Sequence, residues 1–248
     1  MRILPPRTYF LPRKRMLLPN MDRISEVVSV QGNIGAGKTT FMKVMNKALC
    51  LRPGVVFIDE PVVDWQVKRF KDGTESILSC FYSDVPKYAF SFQVNAFCTR
   101  QSANVAAAAG MSSDVPQAVF VTERSMTSDN LIFRKALFES GQISEAENYV
   151  YLQFAALVAG TMNKKEKVMI YLDVDYTLCY DRLRRRARGE EVGVTLEYLK
   201  LLQEKHEEML AEFDGLVVRV KWVDTEEGSD ERTALCKSAI NEVPSLAL

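Results

Sequence analysis

The 248-residue chain holds a single histidine, and none of its cysteines are paired as CxxC. His206 alone cannot build a two-histidine metal centre, and it would be the only candidate base for a Ser-His-Asp triad. The five cysteines, Cys50, Cys80, Cys98, Cys179 and Cys236, are odd in number and widely spaced. They indicate neither a disulfide framework nor a zinc site, and read as reduced thiols of an intracellular protein. No apolar run approaches the ~18 residues needed to cross a bilayer, and no signal-peptide core is present, so neither membrane nor secretion is indicated. Net charge is missing too, with 32 Lys and Arg against 32 Asp and Glu, and no broad basic face suggests nucleic acid. What remains, 47% hydrophobic and 26% charged, is the composition of one ordinary globular domain without repeats.

The balance hides a local asymmetry. Residues 1–20 carry Arg2, Arg7, Arg13, Lys14 and Arg15 with no acid, and Pro5, Pro6, Pro12 and Pro19 oppose a stable helix. Residues 1–23 are therefore expected to be a basic, flexible tail, bypassed if Met21 is a second start, and residues 24–248 a single domain. The expected location is the cytoplasm, with the mitochondrion as the alternative if residues 1–20 act as a targeting segment.

After Met21, short β-rich runs alternate with longer helical ones, the pattern of an α/β fold with a parallel sheet. The expected strands are Val27 to Gln31, Val55 to Asp59, Val119 to Thr122, Val168 to Leu172 and Val217 to Val223. Helices are expected over Thr39 to Leu49, Pro86 to Ala109, Asp129 to Ser140, Ser144 to Met162, Thr177 to Arg188 and Thr195 to Phe213.

Directly after the first run stands Gly32-Asn33-Ile34-Gly35-Ala36-Gly37-Lys38-Thr39, followed by Thr40. It satisfies the P-loop pattern GxxxxGK[ST] in the strand-to-helix context that the pattern requires. Glycines let successive N–H groups turn toward phosphate oxygens, the helix adds its positive end, Lys38 neutralises terminal phosphates and Thr39 can reach Mg2+. A plain glycine-rich turn explains neither the lysine nor the placement. A guanine-reading switch would need Asn-Lys-x-Asp after a strand, whereas Asn46-Lys47-Ala48-Leu49 lacks the Asp and sits inside a helix.

Two acidic strand ends follow. Glu60 closes the second strand and should project into the crevice beyond the carboxyl ends of the sheet, where a carboxylate can take a proton from an attacking hydroxyl. Glu123-Arg124-Ser125 closes the third strand: Arg124 could orient Glu60, and Glu123 could help position Mg2+. The plainer alternative is a solvated strand end with Trp65 as core. Further on, Arg182, Arg184, Arg185, Arg186 and Arg188 crowd into seven residues. On a helix, 184 and 188 share one face and 182 and 186 share another. Alone this would be a solvated basic helix; beside a P-loop it reads as a lid, about 182–194, that clamps the transferred phosphoryl charge and excludes water.

Together, Gly32 to Thr39, Glu60-Pro61 with Trp65, Phe81-Tyr82 with Asp84, Phe92-Gln93, Glu123-Arg124-Ser125 with Ser128-Asp129, Arg182 to Glu191, and Tyr198-Leu199 with Lys205-His206-Glu207 resemble the deoxynucleoside kinase family in order and spacing. The resemblance spans about Val27 to Leu210. It implies a P-loop kinase fold with a five-stranded parallel sheet, ATP with Mg2+ as donor, a deoxynucleoside 5′-hydroxyl as acceptor, and a homodimer packed through helices, with Ser144 to Met162 a candidate. It also implies that Glu60 is the base and Arg124 its partner. Tyr82 and Glu191 would hold the sugar 3′-hydroxyl, Gln93 would read the base edge, and Trp65 with an aromatic near Phe133 would wall it. Arg184, Arg186 and Arg188 match the lid arginines. Two departures are Met209 in place of the usual Trp and a segment Lys221 to Thr225 without the usual Asp-rich loop.

Arg100, seven residues after Gln93, and Asp129, five after Arg124, can both reach the end of the pocket that Gln93 reads. A carboxylate held by Arg100 would accept from the exocyclic amine of cytosine or adenine but face the O4 acceptor of thymine. Deoxycytidine, with deoxypurines as co-substrates, is therefore expected ahead of thymidine, unless Arg100 and Asp129 form a surface pair with no view of the base. The competing functions are a thymidine-preferring kinase of the same family, a thymidylate-type monophosphate kinase and an inactive nucleotide-binding protein. Glu60 opposes the monophosphate reading, because an anionic acceptor is better served there by a cation. His206, on a charged helix, receives no chemistry.

Overall fold

A computed structural model describes residues 21–70, 73–161, 166–187, 189–222 and 229–248. The apolar runs become five parallel strands: β1 (Ile24–Gln31), β2 (Val55–Ile58), β3 (Ala118–Glu123), β4 (Glu166–Asp173) and β5 (Leu216–Lys221), in the order β2-β3-β1-β4-β5. Val28 and Val30 of β1 are fully buried, as expected of parallel strands covered on both faces. Parallel neighbours need long crossovers, which the helices supply. These are α1 (Lys38–Leu49), α2 (Val62–Gln66), α3 (Ile77–Ser83), α4 (Val85–Ala109), α5 (Met126–Ser128), α6 (Lys135–Glu139), α7 (Glu145–Thr161), α8 (Tyr176–Arg186), α9 (Leu196–Glu212) and α10 (Asp230–Glu242).

The expected strands and long helices are all present, with ends shifted by up to three residues where they can be described. The helix expected over Asp129 to Ser140 is instead α5, a π-helical stretch Asp129–Arg134, and α6. Short α2 and α3, the C-terminal α10 and a 3-10 turn over Gly189–Gly193 were not anticipated. Of the expected tail over residues 1–23, residues 1–20 lie outside the described residues, as do Met162, Arg188 and Val223 to Thr225, while its last three residues belong to the folded part. Residues 21–23 form a 3-10 turn that buries Met21.

The main core lies between the sheet and α1, α8, α9 and α10, where Phe41, Met45, Ile170, Leu199 and Ile240 are fully buried. Phe41 meets Trp222 edge to face at 5.1 Å, and its truncation to Ala should cost about 3 to 5 kcal/mol. A second cluster, Trp65, Leu78, Phe81, Phe92 and Leu137, sits beyond the carboxyl ends of the strands and builds one wall of the site. Among the described residues no helix is long and apolar enough to cross a membrane.

Candidate active site

The P-loop joins β1 to α1 at the middle of the sheet, where ligands of open α/β folds bind. Gly35 and Gly37 have φ of 83° and 94°. A Cβ on Gly37 would stand 2.7 Å from Trp222 Nε1, and one on Gly35 would stand 2.6 Å from the Cys179 carbonyl, so both positions require glycine. Asn33 turns away from the cavity: its Nδ2 donates to the Leu199 carbonyl at 2.8 Å, bracing the loop on α9. Ala36 is buried, and its carbonyl accepts from Arg182 at 3.1 Å. Ile34, Thr39 and Thr40 line the cavity with Lys38.

Lys38 donates from Nζ to the carbonyls of Gly32 at 3.2 Å and Asn33 at 2.9 Å. Burial, then the nearby Arg124, lowers its pKa to about 8. Thr39 Oγ1 donates to Glu123 Oε2 at 2.9 Å, which places a hydroxyl and a carboxylate together on the cavity floor. Burial, then the Glu60 charge, pushes the Glu123 carboxyl above its ordinary range. These two hard oxygen groups fit an Mg2+ that takes its other ligands from phosphates and water.

Glu60 follows β2 by two residues and faces this floor. Its Oε1 accepts from Arg100 Nη2 at 3.0 Å and stands 3.3 Å from Arg124 Nε. Burial favours the neutral acid, but Arg124 and Arg100 outweigh it and hold the carboxyl below its usual range, so it is ionised at neutral pH. Arg124 has φ 63°, a costly conformation for a side chain of this size. The turn is fixed by its N–H on the Val30 carbonyl at 3.0 Å and by Thr122 Oγ1 on its own carbonyl at 2.8 Å. The Arg124 guanidinium lies over the Phe133 ring at 4.5 Å.

A cavity of about 640 Å3 joins the P-loop to an apolar recess. Trp65, Leu78, Phe81, Phe92 and Phe133 form the apolar walls, with Phe81 stacked on Phe92 at 4.6 Å and Trp65 edge-on to Phe92 at 5.4 Å. Gln93 enters from α4, and its buried Oε1 has no partner among the described residues. Tyr82, Tyr198 and Glu191 complete the polar part. Burial pushes the Tyr82 phenol far up, so it keeps its proton.

Arg100 and Asp129 are both buried, so the surface-pair alternative is wrong. They stand behind the wall, and the cavity lining includes neither side chain. Arg100 Nε meets Asp129 Oδ2 at 2.9 Å, its Nη2 meets Oδ1 at 3.2 Å, and its Nη1 donates to the Glu123 carbonyl at 2.7 Å. The ion pair between Arg100 and Glu60 was not anticipated; the position of Arg100 on α4, facing the end of β2, is visible only in three dimensions.

The basic helix α8 presents Arg182 and Arg186 to the cavity. Arg184 points elsewhere, donating to the Tyr180 hydroxyl at 2.8 Å and the Val194 carbonyl at 3.3 Å, and Arg188 lies outside the described residues. Arg186 pairs with Glu191, donating to Oε1 at 2.7 Å. Helical spacing grouped 182 with 186 correctly but could not say which pair faced inward. Arg182 was expected only as part of the lid run, and Tyr198, Lys43 and Val63 are lining residues to which sequence reasoning gave no role. A smaller recess of about 250 Å3 outside the P-loop is lined by Gly37, Thr40, Arg182, Arg185, Trp222 and Arg232. His206 is buried, donates from Nδ1 to the Leu202 carbonyl at 2.6 Å, and is kept neutral by burial, with its pKa lowered to about 3.

Comparison with known proteins agrees with this geometry. Residues 28–245 match the family model for deoxynucleoside kinases. A probable deoxycytidine kinase of fowlpox virus is 32% identical over 185 residues, covering 75% of this chain and 72% of its own. Human deoxycytidine kinase is 33% identical over 196 residues, 74% of each chain. A mitochondrial deoxyguanosine kinase of Xenopus laevis is 28% identical over 214 residues, 80% of each. The monophosphate-kinase and inactive-protein readings give way to these matches. With its P-loop, ionised strand-end carboxylate and arginine helix around one cavity, the chain belongs to the deoxynucleoside kinase family and is an ATP-dependent kinase of deoxynucleosides.

Proposed function

We propose that Glu60 is the general base of this transfer and that the enzyme prefers deoxycytidine and deoxypurines to thymidine. The observation that carries the first part is an ionised carboxylate held by Arg100 and Arg124 between the P-loop and an apolar recess. The nucleoside 5′-oxygen attacks the γ-phosphorus of ATP, its proton passes to Glu60, and the bond from phosphorus to the bridging oxygen breaks to release ADP. Lys38, Arg182 and Arg186 face the phosphates and stabilise the charge that moves onto them. Arg188 is placed with this lid by resemblance alone. Mg2+ arriving with ATP would be held by Thr39 and Glu123 and would neutralise phosphate charge.

At the other end, Trp65 and Phe133 sandwich the base and the free Gln93 amide reads its edge. Tyr82 and Glu191 hold the 3′-hydroxyl once Glu191 leaves Arg186. The Arg100–Asp129 pair stands behind the wall of this pocket, and its carboxylate would accept from an exocyclic amine once the wall opens to the base. The named relatives act on deoxycytidine and deoxyguanosine, which supports that preference. Along α7, Tyr149, Val150 and Leu157 are exposed, an apolar face suited to a second copy in a homodimer. The free cysteines favour the cytoplasm.

A coupled assay of ADP release tests the substrate reading, with the four natural deoxynucleosides and their monophosphates as acceptors. Deoxycytidine should give the highest kcat/KM, and a tenfold preference for thymidine would refute the base reading while leaving the kinase intact. Glu60→Gln should lower kcat by ~10² to 10⁴ with ATP binding kept. A variant with more than half of wild-type kcat would remove Glu60 from the role of base.

A further inference from the structure

Glu166, the first residue of β4, lies outside every role assigned above. It is only half-buried as a residue, yet its carboxyl points into the protein, and Oε2 is out of contact with solvent. Ser29 Oγ donates to its Oε1. Gln31 Nε2 stands 3.5 Å from the same oxygen, and the hydroxyls of Ser125 and Thr127 act on the carboxyl from nearby. Gln31 Nε2 in turn donates to Ser29 Oγ at 2.9 Å and to Ser125 Oγ at 3.1 Å. One carboxyl thus gathers the last turn of β1 and the first residues after β3.

The neighbours of these partners give the cluster its meaning. Gln31 immediately precedes Gly32 of the P-loop, and Ser125 immediately follows Arg124. Arg124 sits at φ 63°, where surrounding contacts must hold it. Ser125 supplies part of that hold: its hydroxyl accepts from the Ser128 N–H at 3.3 Å, and its own N–H donates to Ser128 Oγ at 2.9 Å. From these contacts we infer that Glu166 is a positioning residue for phosphotransfer, whose carboxyl fixes Ser125 and Gln31 and through them the separation of Arg124 from the P-loop. The inference rests on the role of Arg124 proposed above.

The surroundings of the Glu166 carboxyl shift it toward its protonated form. Burial raises its proton affinity against the pull of its hydrogen bonds, and no cation is among the groups acting on it. Two buried acceptors, Glu166 Oε2 and Gln31 Oε1, have no partner among the described residues, so a proton on the carboxyl relieves a cluster short of donors. An amide has the same shape and the same one-sided donor. Glutamine should therefore replace Glu166, whereas leucine should not.

The experiment compares Glu166→Gln, Glu166→Leu and Ser125→Ala in the full chain, each assayed below its own melting point. Glu166→Leu should lower kcat roughly tenfold to a hundredfold, the scale on which small misplacements act. Its deoxynucleoside KM should stay within about twofold, since Gln93 and Trp65 do not touch the cluster. Glu166→Gln should recover most of the lost kcat, and Glu166→Leu combined with Ser125→Ala should lose little more than either alone. A second readout needs no turnover: the Arg124 Nε–H resonance, beside Glu60, should shift in Glu166→Leu and return in Glu166→Gln. Wild-type kcat in folded Glu166→Leu, or glutamine as damaging as leucine, overturns the inference. If Glu60→Gln keeps its activity while these effects appear, the base assignment fails and the positioning role stands.

Discussion

Lys38 carries its charge in a cage of two carbonyls, and burial has brought its pKa down to about 8. The free enzyme therefore loses this cation as pH rises through about 8, while a bound triphosphate restores it. Binding must then take up a proton, and the KM for ATP should rise about tenfold per pH unit above that point, with kcat at saturating ATP much less affected. A KM that stays flat from pH 7 to 9.5 contradicts this. The pair behind the pocket gives a stability prediction of the same kind. Asp129→Ala strips Arg100 of its bidentate partner and leaves a buried guanidinium held by Glu60 and the Glu123 carbonyl. A loss of about 3 to 5 kcal/mol is expected, and thermal unfolding should show Arg100→Met with Asp129→Ala recovering part of it. The double variant should also move kcat/KM toward thymidine, while lowering kcat for every acceptor because Glu60 has lost one of its arginines.

At the scale of elements, α3 carries Phe81 and Tyr82 into the cavity, and its start is fixed by a reciprocal cap between Ser76 and Ser79 at 3.0 and 2.8 Å. Ser76→Ala should cost about 1 kcal/mol. It should raise the deoxynucleoside KM more than the ATP KM, because the cavity residues that α3 carries, Leu78, Phe81 and Tyr82, stand at the acceptor end; equal effects on both would separate α3 from substrate holding. This helix also shows where the sequence was silent. Its N3 residue is Ser rather than Glu or Gln, so the usual cap signature is missing, and α2 is only five residues long. The strands and α1 were legible because dense Val and Ile runs and a glycine motif mark them without tertiary help. Glu60, Glu123 and Arg124 were legible as cavity residues because strand ends place them, whereas Gln93, in the middle of α4, was named through the family resemblance alone. The inward turn of Arg182 instead of Arg184, and the π-helical stretch under Asp129, depend on packing against the P-loop and α9 and leave no local trace.

For the whole molecule, the apolar face of α7 is the feature that a single copy leaves open. Val150, Phe154 and Leu157 recur at spacings that share one side of the helix, and Phe154 also meets Phe97 of α4 at 5.3 Å. If the proposed dimer forms through this face, Leu157→Glu should sediment as a monomer without changing the far-ultraviolet dichroism; a wild-type chain that sediments as a monomer removes the dimer proposal. The strand order has a further consequence, for the chain during its synthesis. β1 leaves the ribosome well before its two neighbours, β3 and β4, which begin at Ala118 and Glu166. Until β3 has emerged, more than ninety residues later, the strand that feeds the phosphate loop has no partner on either side. Its fully apolar positions, Val28 and Val30, then have no sheet to enter, so the nascent chain must be shielded from its neighbours over that interval.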